Sequence, residues 1–361
     1  MTYERLIISK MHGYTPGEQP DQGGMVKLNT NENPYPASPL VAEVLAAVQL
    51  EELRRYPPPL ASSFRTEAAN YHGIRAENII PTNGGDELLR LAITTFANSG
   101  DTIAIAQPSY SLYPVLAEVQ GCQLQQIPLD EDWLLAGDFV AQLNDADARI
   151  AFVVNPHAPT GILMGVERIA AIAENFNGVL VVDEAYVDFV DPELNYDLVP
   201  LIESCNNLLI LRTLSKGFSL AGLRFGYGIG ATSLIEPIAH KTRDSYNTDI
   251  ISQQLATAAI RSVEHARQSW SKVRQERDRL TQELGELGLA CLPSQSNFLL
   301  AKVPHNIGAD FLYRQLQQQQ ILVRYFEENR LRDKLRITVG TADENTLLIS
   351  ALGKLLNTLE K

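Results

Sequence analysis

The sequence predicts an α/β protein: a buried, largely parallel β-sheet layered with helices, followed by a smaller α+β unit. Three observations predict it. From about Ile79 onward, short apolar runs alternate with amphipathic helical patterns. Those runs are apolar at successive positions, so both faces of each strand must be covered. Near residue 250 the texture turns long, charged and helical, and then strand-like again. The length of 361 residues exceeds the usual size of one hydrophobic core, which agrees with two units.

The elements follow in order. Residues 1–28 are polar and contain several Gly and Pro. "NENPYPASP" (31–39) is turn-rich; Ser38 is placed to cap a helix over 39–53, which "RRYPPP" stops. "ELLRLAITTFA" (87–97) reads as a helix, "DTIAIAQ" (101–107) as a strand and "SYSLYPVLAEVQ" (109–120) as a helix. "ARIAFVV" (148–154), "GVLVVDEAY" (178–186) and "NLLILRT" (207–213) read as strands, with a helix over 166–176. In the helical stretch 266–287, Trp270, Val273, Leu280, Leu284 and Leu287 form one stripe. That stripe is too short for a coiled coil and reads as a seam against the parent unit. "SNFLLAKV" (296–303), "ILVRYF" (321–326) and "KLRITVG" (334–340) supply strands of the smaller unit, and "QLQQQQ" (315–320) lies on a helix.

The net charge of −13 argues against nucleic acid or an anionic membrane as the main partner, but not against a small anion met by local arginines. Cys122, Cys205 and Cys291 are far apart and lack metal-ligand spacing, which argues against disulfides and zinc. No leader-like or membrane-length apolar run is present, so the expected compartment is the cytoplasm.

Three stretches carry chemistry. "NGGDELL" puts Gly84, Gly85, Asp86 and Glu87 at a helix start, where free backbone N–H groups can hold a phosphate or simply be capped. "VVDEAY" sets Asp183 and Glu184 at the end of a buried strand, with Tyr186 close by. Strand ends of such sheets face ligand crevices, and position alone does not separate the two acids. "TLSKGFSLAGLRFGYG" places Lys216 after another strand among small residues, with Arg224 eight residues on. A lysine that attacks carbonyls needs such an uncrowded, electropositive setting. An anion-binding helix start, a strand-end acid and a strand-end lysine, in that order, match pyridoxal phosphate chemistry. Arg324 and Arg336, in the later strands, suit a carboxylate or phosphate.

Together "KLNTNENPYP", "RYP", "NGGDELL", "PSYSLY", "APTG", "VVDEAYVDF", "TLSKGFSLAGLRFGYG", "SNFLL" and "LRITVGT" strongly resemble the fold-type I pyridoxal-phosphate aminotransferases, and within them the histidinol-phosphate aminotransferases. The resemblance implies a large α/β/α domain with a mostly parallel mixed sheet over 30–250. It also implies a small α+β domain from both termini, 1–29 and 251–361. It makes Lys216 the Schiff-base lysine and proton shuttle, Asp183 the partner of the ring nitrogen, and Tyr186 a hydrogen-bond partner of the ring hydroxyl. Gly85, Asp86, Thr213, Ser215 and Arg224 become phosphate contacts, and Tyr110 the aromatic stacked on the ring. Tyr56 matches a tyrosine that reaches the neighbouring subunit's cofactor phosphate, which implies a homodimer. Arg336 matches the substrate-carboxylate arginine; Arg324, Asn31 and Tyr14 are further substrate contacts. Many relatives read Asn-Pro-Thr-Gly where this chain has Ala158, leaving Asn155 or His157, or Tyr186 alone, to serve the ring hydroxyl. The implied reaction is reversible amino transfer between L-histidinol phosphate and 2-oxoglutarate, giving imidazole acetol phosphate and glutamate. Aromatic-amino-acid aminotransferases and threonine-phosphate decarboxylases share this scaffold. A regulator of the same fold would carry an extra DNA-binding module, whereas here the motifs begin near residue 27.

Overall fold

The computed structural model describes residues 3–15, 17–19 and 24–359. After a short strand β1 (Val26–Lys27), helix α1 (Pro39–Ala47) starts at Ser38, whose Oγ accepts from Leu40 N at 3.3 Å. Pro39 at the first helical position has no N–H to leave unsatisfied. Helix α2 (Ser62–His72) leads into the large sheet. Its elements are β2 (Ile79–Thr82), α3 (Gly84–Phe96), β3 (Thr102–Gln107), α4 (Leu112–Gln120), β4 (Gln123–Pro128), α5 (Phe139–Asp145), β5 (Ala148–Val154), α6 (Val166–Asn175), β6 (Val179–Asp183), β7 (Leu208–Thr213) and β8 (Gly226–Gly230).

The strand order is β2-β8-β7-β6-β5-β3-β4, and β8 pairs antiparallel with both neighbours while the other pairs run parallel. The sheet is therefore mostly parallel and mixed. Its side chains divide by the strand period of two. Ala151, Val153, Leu180, Val182, Leu208 and Ile210 pack on one face, with Phe64 of α2 and Ile169 and Ile172 of α6. Ile150, Phe152, Val181, Leu209 and Leu211 pack on the other, with Leu88 and Leu89 of α3 and Leu116 of α4. Both faces are covered, as continuous apolar runs require.

Strand β8 lies in "FGYGIG", a stretch whose glycines hide it from any apolar pattern. Those glycines let α3 sit almost on the strand. A Cβ at Gly226 would lie 2.9 Å from the Gly84 carbonyl carbon, and one at Gly228 would lie 2.9 Å from Ile80 and Leu88.

Beyond the sheet come α7 (Thr232–Pro237), α8 (Ile250–Arg261) and the 24-residue α9 (Val263–Glu286). Helix α8 packs on α1 and α2, and its Leu255, Ala256 and Ala259 belong to the core of the large unit. The packing of the large unit thus runs past residue 250 into α9. Trp270 and Val273 of α9 join that core, while Leu280 and Leu284 join the core of the small unit. One helix crosses from one unit to the other, and its apolar stripe changes partners on the way.

The small unit holds β9 (Ala290–Cys291), β10 (Phe298–Lys302), α10 (Ala309–Gln318), β11 (Ile321–Leu322), β12 (Arg324–Tyr325), β13 (Lys334–Thr338) and α11 (Ala342–Leu359). An antiparallel sheet β12-β13-β10-β9 packs on α10 and α11. The run "ILVRYF" is two strands: β11 pairs with β1, and β12 turns to β13. No helix among the described residues is long and apolar enough to cross a membrane.

Candidate active site

The C-terminal ends of β5, β6 and β7 open into a cavity of roughly 1150 Å³ closed on its far side by the small unit. Thr213, Ser215 and Lys216 reach it from the end of β7, Asp183 from the end of β6, and Gly85 and Asp86 from the start of α3.

The loop bearing Lys216 is held from both sides. Leu214 N donates to Phe225 O at 3.0 Å, and Trp270 Nε1 of α9 donates to Gly217 O at 2.6 Å. A Cβ at Gly217 would fall 2.1 Å from Asp188 Oδ2, so only glycine lets the loop close down here. Lys216 Nζ donates to Thr30 O at 2.9 Å. Burial, aided by the positive charge of Arg336, pushes its pKa down to about 8. This is the amine a carbonyl chemistry needs: deprotonated in useful amount near neutral pH.

Strand alternation separates the two acids that position alone left open. Asp183 points to the α3–α4 face and lines the cavity; Glu184 points to the opposite face and pairs with Arg212 at 2.7 Å. Asp183 Oδ2 accepts from Tyr113 Oη at 2.8 Å, and Oδ1 accepts from Ala185 N at 3.1 Å. Burial raises its pKa to about 6, with Tyr113 and Ala185 opposing that rise. Tyr113 is itself buried and stacked on Phe152, with centroids 4.8 Å apart and planes 7° apart. Sequence reading missed Tyr113; its spacing of three from Tyr110 at a helix start was the available signal.

The other end of the cavity is an anion cup. Gly84 is left-handed (φ 75°), which turns the first N–H groups of α3 toward the cavity. Arg224, also left-handed (φ 57°), brings its guanidinium over Gly84, near Asp86 (3.6 Å) and Ser215 Oγ (3.5 Å). Ser215 N donates to Thr213 Oγ1 at 3.1 Å, which fixes the two hydroxyls side by side. Ser109, which sequence reading passed over, lines the same cavity with a buried hydroxyl that has no partner. The residues therefore fit a phosphate-bearing aldehyde such as pyridoxal phosphate. An unpaired hydroxyl and a guanidinium stand at one end, and a buried carboxylate and a lysine at the other.

Tyr110 flanks the cavity, with its hydroxyl 3.3 Å from Asp86 Oδ1 and its ring edge-on to Tyr14 at 5.6 Å. Tyr14 lines the cavity as well. Tyr186 lies edge-on to Phe298 (5.0 Å), with Lys216 Nζ 5.7 Å from its ring centre. Arg324 and Arg336 face each other across β12 and β13, and both guanidiniums approach Phe326, at 5.4 and 5.5 Å. Directly opposed like charges are unfavourable in a sheet without an anion between them. Arg336 Nη2 donates to Asn29 O at 2.8 Å, and its buried Nε has no partner.

Four expected contacts sit differently. Asn155 is turned away: its Nδ2 donates to Met164 O and Tyr196 Oη, and its Oδ1 accepts from Met164 N. His157 is likewise committed, to Thr160 Oγ1 at 2.8 Å and Pro108 O at 3.0 Å. Neither can take over the ring-hydroxyl contact that Ala158 lacks. Asn31 lines the cavity, but its side chain is spent on Tyr186 and Thr338. Tyr56 lies outside the cavity, exposed and stacked on Tyr246 at 4.4 Å.

Comparison with known proteins agrees with this geometry. Residues 23–352 match the family Aminotransferase class I and II. The chain is 41% identical over 356 residues to the histidinol-phosphate aminotransferase of Microcystis aeruginosa, covering 98% of this chain and 99% of the relative. It is 40% identical over 355 residues to histidinol-phosphate aminotransferase 1 of Trichormus variabilis, with the same coverage. The crystal structure of histidinol-phosphate aminotransferase from Sinorhizobium meliloti, in complex with pyridoxal-5'-phosphate, shares the fold at a TM-score of 0.90. It is 23% identical and covers 99% of each chain. With a reactive lysine, a buried strand-end acid and an anion cup in one cavity, the chain belongs to the class I and II aminotransferases.

Proposed function

We propose that the chain is a histidinol-phosphate aminotransferase. It moves an amino group reversibly between L-histidinol phosphate and 2-oxoglutarate, with imidazole acetol phosphate and glutamate as the other pair. The observation that carries this reading is the line of groups in one cavity: anion cup, Asp183, Lys216, then the opposed arginines Arg324 and Arg336. The names of relatives about 40% identical over 98% of the chain support the same reading.

Pyridoxal phosphate, when bound, supplies an aldehyde carbon and an electron sink. The first N–H groups of α3 with Thr213, Ser215, Ser109 and Arg224 would hold its phosphate, and Tyr110 would flank its ring. Asp183 keeps the ring nitrogen protonated. Lys216 Nζ, in its neutral form, would take the proton from the amino-bearing carbon of the substrate and return it on the far side of the transfer. Arg324 and Arg336 receive the phosphate of one substrate and a carboxylate of the other, each satisfying the anion that the opposed pair lacks. Two substrates using one site in turn give ping-pong kinetics.

Tyr56, 81% exposed and stacked on Tyr246, belongs in this reading to a homodimer contact that reaches the partner's phosphate cup. The three free thiols accord with work in the cytoplasm.

The test is an amino-donor and keto-acceptor panel with Lys216→Ala as the blank. Amino transfer from glutamate to imidazole acetol phosphate, well above that to phenylpyruvate, is expected. Preference for phenylpyruvate, or carbon dioxide release from threonine phosphate, overturns the substrate assignment. Sedimentation of a monomer at assay concentration overturns the dimer.

A further inference from the structure

The hydroxyl of Tyr186 has one proton, and the hydrogen bonds around it dictate where that proton points. Asn31 N donates to Thr338 Oγ1 at 3.0 Å. Thr338 Oγ1 sends its own proton back to Asn31 Oδ1 at 3.1 Å. The amide oxygen of Asn31 is thereby the accepting end, and Nδ2 faces Tyr186 Oη at 3.1 Å. An amide nitrogen only donates, so Tyr186 Oη is the acceptor in that contact. Among the described residues Tyr186 Oη makes no other hydrogen bond to protein, so its proton is left for the cavity.

Among the described residues, the segment around Ala158 offers no second side-chain donor. Ala158 lines the cavity with a methyl group, and the neighbouring Asn155 and His157 are bound elsewhere. We propose that Asn31 is a positioning residue. By forcing Tyr186 to donate, it makes that hydroxyl the single side-chain donor to a ring oxygen on the cofactor, and so compensates for the alanine at 158. This deepens the proposed function and rests on it.

The position of Asn31 is built for the task. Its backbone is left-handed (φ 55°), a conformation that asparagine and aspartate tolerate better than most residues. Its carbonyl accepts from Asn297 Nδ2 at 3.0 Å, and Thr338 belongs to β13. Direction is therefore imposed on Tyr186 from the small unit. The charged or titratable groups around Tyr186 are Arg336, Asp183, Tyr14, Tyr110, Tyr113 and Lys216.

Asn31→Asp tests this with almost no change of shape. The new carboxylate accepts the proton of Tyr186 and removes the donor from the cavity. In protein loaded with pyridoxal phosphate, the pH midpoint of the visible absorbance transition should rise by about one unit, a tenfold gain in proton affinity. Ala158→Asn in the same background adds a donor and should reverse most of that rise. A negative charge acting only through space would also raise the midpoint, so Tyr186→Phe is the control. In that background Asn31→Asp should produce little further change. An Asn31→Asp midpoint equal to wild type, or an equal shift without the Tyr186 hydroxyl, overturns the inference alone. Wild-type protein that takes up no pyridoxal phosphate overturns the proposed function and this inference with it.

Discussion

Lys216 shows how one residue sets opposite demands on stability and reactivity. Burial lowers its pKa from 10.5 to about 8, so the folded chain disfavours the ammonium form. The unfolded chain binds that proton more tightly, and the cost is fully present below pH 8 and gone above 10.5. In cofactor-free protein, Lys216→Met should therefore raise stability at pH 7 by on the order of 3 kcal/mol, read as a higher thermal midpoint. The gain should shrink as pH rises from 8 toward 10.5; a gain independent of pH would refute the account. Tyr113 makes a second case. Tyr113→Phe keeps the stack on Phe152 but removes a donor to the Asp183 carboxylate. The pKa of Asp183, about 6 with that donor, should climb, and the acid-side loss of cofactor affinity should begin at higher pH, by roughly half a unit or more. Cofactor titrations across pH 5–8 would measure it. The lysine and the helix start at Gly84–Asp86 stood out in the sequence as short motifs at a strand or helix end, whereas Asp183 was told from Glu184 only through the family resemblance. Tyr113 and Ser109 did not stand out, because a buried hydroxyl gives no signal until its partners are known.

At the scale of elements, apolar runs announced β3, β5, β6, β7 and β10, which are buried along nearly their whole length, and the alternating pattern of "KLRIT" announced β13. Strand β8 escaped notice because its glycines are chosen for closeness to α3, not for strand propensity. Strand β4, "QLQQIP", is at the sheet edge and polar, so it carries no apolar signature. The split of "ILVRYF" into β11 and β12 is a tertiary event: the two halves find different partners. The close approach at β8 has a functional price tag in geometry, because the start of α3 is also the phosphate cup. Gly226→Ala should push α3 outward, cost about 1–3 kcal/mol of stability and weaken cofactor binding together. Calorimetry with and without pyridoxal phosphate would show both losses; a loss of stability with unchanged affinity would contradict the coupling.

At the scale of the molecule, the two units meet through a second set of contacts beside the cavity. The guanidinium of Arg330 lies 4.1 Å from the centre of the Trp133 ring, and donates to Leu129 O and Asp130 O, both at 2.6 Å. Its neighbours Phe326, Glu328 and Leu331 line the cavity. Arg330→Met should loosen that wall and raise KM for the phosphate-bearing substrate about tenfold, with kcat changed less. Steady-state kinetics would decide, and an equal fall in kcat with unchanged KM would point to the chemistry instead.

Helix α9 adds a constraint on motion. Its first half grips the Lys216 loop through Trp270, and its second half is rooted in the small-unit core. Between them Arg277 is buried and fastened to Phe189 O, Ser296 O and Asp191. A tilt of the small unit would therefore drag on this rod and be felt at the amine.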